Sequence, residues 1–249
     1  MEHAEAYPNP SLSEHLYDVD VHSSSDAYAT RFGGEIGDWL LGVQSDALLS
    51  LLDDNCRNIL DVGGGHAQTV QPLLSVGRSL TVLGSSSICS HRLQSYLENG
   101  TVSFQVGNLI DLPYNPRSFD AVMSFRILSH AVAWKSVIAE LCRVAEHAVI
   151  VDYPLWCSVN LLSPLAFHLK KKVEVNTRHF KIFTNSMIKG EFNKHGFKLA
   201  KLKRQFFFPM ALHRAHKSVA IAEMLEKNAR VTGLTYLFGS PVVAKFVRK

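Results

Sequence analysis

Asp61, Gly63, Gly64 and Gly65 stand together in "NILDVGGGHAQTV", residues 58–70, a short apolar run that opens into glycines. Glycines at a strand end let the backbone approach a ligand closely, because no Cβ holds it off. A carboxylate two residues before the first of them can accept from a cationic group on that ligand, directly or through water. One cofactor bound at such turns is a dinucleotide, whose fingerprint is G-x-G-x-x-G; counting from Gly63 puts Gln68 where the third glycine belongs. The turn therefore fits a nicotinamide site badly. His130 follows the apolar run "SFDAVMSF" and is the residue best placed to take a proton. The four cysteines, at 56, 89, 142 and 157, form no CxxC pair and have no histidine at ligand spacing, so no metal is expected.

These residues need elements to position them. Asn58–Val62, 79–83, "TVSFQVG", "SFDAVMSF" and "HAVIVDYP" read as short strands rich in Val, Ile and Leu. Between them, 68–76, "SICSHRLQSYLENG" and "AVAWKSVIAELCRVA" read as helices, the last with Trp134, Val137, Ile138, Leu141 and Val144 on one face. Such alternation predicts a parallel sheet covered by helices on both sides. Ahead of it, Ile36, Leu40, Val43, Ala47, Leu48 and Leu51 mark a helix, and residues 1 to about 25 read as a loose polar arm. After Pro154 a helical insert over 155–195 is expected. It is followed by a long strand through "KLAKLKRQFFFPMAL", a helix through "HKSVAIAEMLEKNA" and a last strand "SPVVAKFVRK". No linker separates two units, so 26–249 is read as one domain.

Composition narrows the class. With 249 residues, 47% hydrophobic and 19% charged, the chain is globular. A net charge of +4, with "LKKK" and "KLKR" as its densest basic runs, implies no nucleic acid. No apolar run approaches the roughly 18–20 residues of a membrane span, and the N-terminus lacks the apolar core of a secretory signal. A cytoplasmic protein, monomer or homodimer, is expected.

The glycine turn also resembles motif I of the class I S-adenosylmethionine-dependent methyltransferases, an acid followed by G-x-G-x-G. Asp61, Gly63 and Gly65 match, and Ala67 replaces the last glycine. "NLIDLPYNPRSFDAVMSF" is similar to the same family's stretch from the third strand into the fourth, and the likeness runs in order over roughly 25–155. The resemblance implies an α/β fold: a Rossmann-like seven-stranded methyltransferase sheet with helices on both faces, an N-terminal helical cover and a final antiparallel hairpin. It implies S-adenosylmethionine as cofactor and a small-molecule methyl acceptor. Carried over residue by residue, the cofactor contacts are Tyr28, Asp61, Gly63, Gly64, Gly65, Gly84, Asn108, Leu109 and Phe125; His130, by its place after the fourth strand, stays the candidate general base. Gly84 falls where the family carries the acid that holds both ribose hydroxyls, and Asn108 where it usually carries Asp. If Gly84 merely vacates that site, an aspartate there should tighten binding. Ser85 is the chosen substitute partner, and Ser86 or Ser87 caps the following helix.

Trp156, Leu161, Leu162, Leu165, Phe167, Phe180 and Phe183 suggest a lid over an apolar acceptor, with Tyr153 and Arg178 as weaker candidates for substrate contact. Two other functions stand beside methyl transfer. One is a catalytically silent binding or scaffold protein of the same fold, made credible by Gly84 and Ala67. The other is an NAD(P)-dependent oxidoreductase.

Overall fold

Short apolar strands with both faces covered organise the chain. In the computed structural model, which describes residues 19–156, 158 and 180–249, seven strands form one sheet in the order β3-β2-β1-β4-β5-β7-β6. They are β1 (Asn58–Val62), β2 (Ser79–Gly84), β3 (Val102–Val106), β4 (Phe119–Ser124), β5 (Ala145–Tyr153), β6 (Phe197–Arg204) and β7 (Val242–Arg248). The first five run parallel, and β7 is antiparallel to both β5 and β6. This is the seven-stranded sheet that the resemblance implies, with the expected terminal hairpin.

Alternation along each strand sends side chains to two separate cores. Leu60 and Val62 join the helix Trp134–Val144 on one face, whereas Ile59, Ala121 and Met123 meet Ala47, Leu48 and Leu51 of the helix Gly34–Leu51 on the other. Each fully buried aliphatic side chain contributes about 1.5–3 kcal/mol, more than a helix cap at about 1 kcal/mol, so this double burial holds the sheet. Within the expected insert, Asn185–Lys194 is a helix that belongs to the core, because Phe192 stacks on Phe246 at 3.8 Å. Residues 157 and 159–179, the stretch where most of the lid and Arg178 were expected, lie outside the described residues.

Three elements differ from the sequence reading. The strand expected through "KLAKLKRQFFFPMAL" stops at Arg204, and Met210–His216 is helical. The Glu226 carboxylate accepts from the Phe207 and Phe208 amides at 2.9 and 3.0 Å, and Pro209 has no N–H, so these residues leave the ladder. The lysines of "KLKR" line β6, an edge strand, where charge discourages further pairing. "SICSHRLQSYLENG" splits into a 3₁₀ segment, Ser87–Leu93, capped by the Ser86 hydroxyl, and a short helix, Gln94–Glu98; the split turns Cys89 and Leu93 inward. Residues 19–25, expected as part of a loose arm, are built into the structure: Asp20, Ser23 and Ser24 are buried.

Candidate cofactor and active site

The carboxyl ends of β1 and β4, neighbours in the sheet, meet the helix Gly34–Leu51 and the N-terminal turn. At the end of β1 the chain reverses at Gly63, whose φ of 78° suits glycine, and its amide donates to the Leu83 carbonyl at 2.8 Å. Gly65 is required by closeness, since a Cβ there would stand 2.2 Å from Ser24 Oγ. The helix that follows starts at Val70, two residues later than the pattern predicts. Thr69 does not cap it; its hydroxyl donates to Asp61 Oδ2 at 2.5 Å.

Asp61 is therefore anchored beneath the turn by one oxygen. Its Oδ1 is buried and has no partner within the chain. Burial pushes its carboxyl up to about 7; the Thr69 bond opposes this and the Asp152 charge adds to it. At the end of β5, Asp152 accepts from the Arg126 amide at 2.6 Å and from Gln44 Nε2 at 3.3 Å. Burial raises it to about 6, with the Arg126 amide and charge opposing.

Arg126 follows Phe125 in a left-handed backbone conformation, φ 62°. Its guanidinium lies 4.1 Å over the Phe32 ring and donates through Nη2 to Gln44 Oε1 at 3.0 Å. Nη1 is buried and makes no hydrogen bond of good geometry within the chain, although the Tyr28 side chain lies close enough to favour the guanidinium's charge. The rim thus holds an unsatisfied acceptor on Asp61 and an unsatisfied donor on Arg126, on adjacent strand ends. Unsatisfied buried polar groups are expensive, and a pair of opposite kind is chemically able to take a ligand carrying both an ammonium and a carboxylate. His66 closes the rim, edge-on to Tyr28 at 5.7 Å and to Phe32 at 5.6 Å. Burial, reinforced by Arg126 and Arg92, drives its imidazole down to about 3, so it is neutral.

The structure brings Tyr28, Asp61, Gly63, Gly64 and Gly65 together at this rim, with Ser85 just past the carboxyl end of the neighbouring β2. Leu109 and Phe125 are core residues, 2% and 4% exposed. Asn108 is exposed at the end of β3, and its Oδ1 already accepts from the Ile110 amide at 3.0 Å. His130 lies in the loop after β4, its ring 5.5 Å from Phe180. The chain re-enters beside it, where the Lys181 amide donates to the Ser129 carbonyl at 2.8 Å. Tyr153, weighed for substrate contact, is core; its hydroxyl pairs with Asn185 Oδ1 at 3.0 Å. Phe183 is core too, packed on Trp134, whereas Trp156 and Phe180 are more than half exposed.

Sequence reasoning missed Asp20, Gln44 and His66 as site residues, and placed Arg126 on the rim, within the segment Phe125–His130, without giving it a role. Arg126 carried a signal, a lone charge immediately after an apolar strand. Asp20 carried none, lying in a polar stretch with no pattern. Among the described residues no group of three His, Cys, Asp or Glu is placed to hold a metal ion, and no helix is long and apolar enough to cross a membrane.

Comparisons with known proteins bear on the fold. Residues 60–150 match the family model described as a methyltransferase domain. Among solved structures, magnesium protoporphyrin IX methyltransferase from Synechocystis PCC 6803 with bound SAH aligns with a TM-score of 0.64 at 14% identity, over 95% of this chain and 100% of that one. The [4+2]-cyclase SpnF aligns at 0.53 and 18%, over 85% and 80%. The pyocyanin biosynthetic protein PhzM aligns at 0.55 and 16%, over 84% of this chain and 55% of that one. None of the curated proteins matches the sequence.

Proposed function

We infer, from a chain whose residues 60–150 match the methyltransferase domain model and whose sheet has the order found in that fold, that it binds S-adenosylmethionine and transfers its methyl group to a small, partly apolar molecule. The observation that carries this reading is the unsatisfied pair at the rim. Asp61 Oδ1 would accept from the cofactor's ammonium, and Arg126 Nη1 would donate to its carboxylate. Tyr28 and His66 would cover the same end. The bound cofactor supplies an electrophilic methyl carried on a sulfonium. The protein's part is to hold the two reactants in line and exclude water. His130 is proposed to take the proton of a hydroxyl or amine acceptor. Exposed Trp156 and Phe180, flanking residues 157–179, support an acceptor with apolar surface.

A second reading, a protein of this fold that binds without methyl transfer, is supported by the missing acid at Gly84. The fold itself admits other roles, since one similar structure is a cyclase. Calorimetry with S-adenosylmethionine, S-adenosylhomocysteine and NAD(P) tests the cofactor. Micromolar binding of the first two, with none of the third, is expected, and preference for NAD(P) would sink the reading. Radiolabelled methyl release to candidate acceptors then separates transfer from silent binding.

The Asp61 carboxyl also fixes a pH dependence. Only the ionised form pairs with an ammonium, so S-adenosylhomocysteine affinity should fall about tenfold per pH unit as pH drops below about 7. Protonating Asp152, near pH 6, would loosen Arg126 and steepen the loss. Titrations between pH 5.5 and 8 check this; a flat profile excludes Asp61 as the ammonium partner.

A further inference from the structure

The end of β2 has no room for the acid that the resemblance puts there. A Cβ on Gly84 would stand 2.7 Å from Cys89 Cβ and 3.0 Å from the Phe104 ring. Yet a carboxylate does reach this point, from 65 residues upstream in the chain. Asp20 Oδ2 accepts from the backbone amide of Ser85, the residue after Gly84, at 2.9 Å.

Asp20 is held there deliberately. Its carbonyl accepts from the Ser23 hydroxyl at 2.9 Å, the Ser24 hydroxyl at 2.8 Å and the Ser24 amide at 2.9 Å, which closes a tight turn. Ser24 packs over Gly65, and Asp20 Cβ lies against Gly63. The carboxylate is fully buried, and its Oδ1 has no hydrogen-bond partner within the chain. The Ser85 hydroxyl, also buried, is equally unsatisfied. Burial raises the Asp20 carboxyl; the Ser85 amide holds Oδ2, and the Ser85 hydroxyl and Cys89 thiol stand close enough to oppose the rise without forming a hydrogen bond that satisfies Oδ1. A buried acid with one oxygen anchored and one free is costly unless a ligand donor completes it.

We propose that Asp20, delivered by the N-terminal turn to the amide of Ser85, supplies the acceptor for the ribose hydroxyls of the cofactor in the place Gly84 leaves closed. A vicinal diol offers two donors. One meets Asp20 Oδ1 and the other meets Ser85 Oγ. The proposal rests on the S-adenosylmethionine reading above and adds that residues 19–25 are part of the cofactor site. The opposite role, an N-terminal turn that plugs the site, predicts the opposite sign.

Calorimetry on the full chain decides, with S-adenosylhomocysteine and its 2′-deoxy and 3′-deoxy analogues. The unmodified protein should bind at least one deoxy analogue about tenfold more weakly than S-adenosylhomocysteine. Asp20→Asn, folded by circular dichroism, should lose about tenfold for S-adenosylhomocysteine and show little further loss for that analogue. Equal affinity of the unmodified protein for all three ligands overturns the proposal without any variant. Tighter S-adenosylhomocysteine binding by Asp20→Asn or Asp20→Ala overturns it in favour of a plug. If the unmodified protein binds none of the three, the S-adenosylmethionine reading itself fails.

Discussion

Asp61→Asn should make the ligand-free protein more stable and the cofactor site useless. The folded carboxyl is raised from 3.8 to about 7, chiefly by burial. Its contribution to stability is therefore fully present below about pH 4 and is lost as pH rises through about 7. At pH 8 the fold bears the cost of a buried charge, for which ~4 kcal/mol is an upper bound. The amide escapes that cost but still needs partners, so a gain of about 2 kcal/mol, or roughly 4–8 °C in Tm, is expected at pH 8. No gain is expected near pH 4. In the same variant the ammonium loses its counter-charge, and S-adenosylhomocysteine affinity should drop about a hundredfold. Thermal melts at the two pH values with calorimetry at pH 8 provide the check. A variant that is less stable at pH 8 and binds normally would make Asp61 a purely structural residue. Opposite signs on stability and binding are the mark of a group kept for its ligand.

The second large effect is at Gly84. The sequence alone suggests that an aspartate there restores a missing contact and strengthens binding. The structure reverses the expectation, because Cys89 and the Phe104 ring already occupy the space a side chain would need. Overpacking typically costs about 1–3 kcal/mol, and an unpaired carboxylate against these two groups adds to it. Gly84→Asp should therefore destabilise by about 3 kcal/mol or more, lowering Tm by roughly 6–12 °C. Its S-adenosylhomocysteine affinity should be no better than that of the unmodified chain. A native melting temperature combined with tighter binding would show that the pocket opens readily and that Gly84 is simply vacant.

These two sites show what sequence could and could not reveal. β1, β2, β4 and β5 were legible because both faces are covered, so apolar runs and boundaries coincide. The helix Trp134–Val144 was legible because its buried face has a clear period. Asp61 and the glycines were legible because a turn at a strand end needs residues of those types. Asp20, Arg126 and His66 act through contacts between segments distant in the chain, and no local pattern encodes such contacts. The same holds for Gly84, where the neighbours that fill its space lie on the following 3₁₀ segment and on β3. The strand that failed after Arg204 failed for a similar reason, since the carboxylate that diverts Phe207 and Phe208 comes from Glu226, on the helix Val219–Val231.

The closed space at Gly84 also constrains the history open to this protein. Because the contact at Cys89 is with its Cβ, an acid at that position becomes tolerable only after the backbone shifts or Cys89 becomes glycine and Phe104 a smaller residue, and each of those changes alone leaves unfilled space beside β2. A path to an acid on β2 therefore crosses intermediates that are worse than either end. Selection acting one substitution at a time meets a ratchet there. If Asp20 holds the ribose, changes that tune cofactor affinity are channelled away from β2 and into the turn of residues 19–25, far from any recognisable motif.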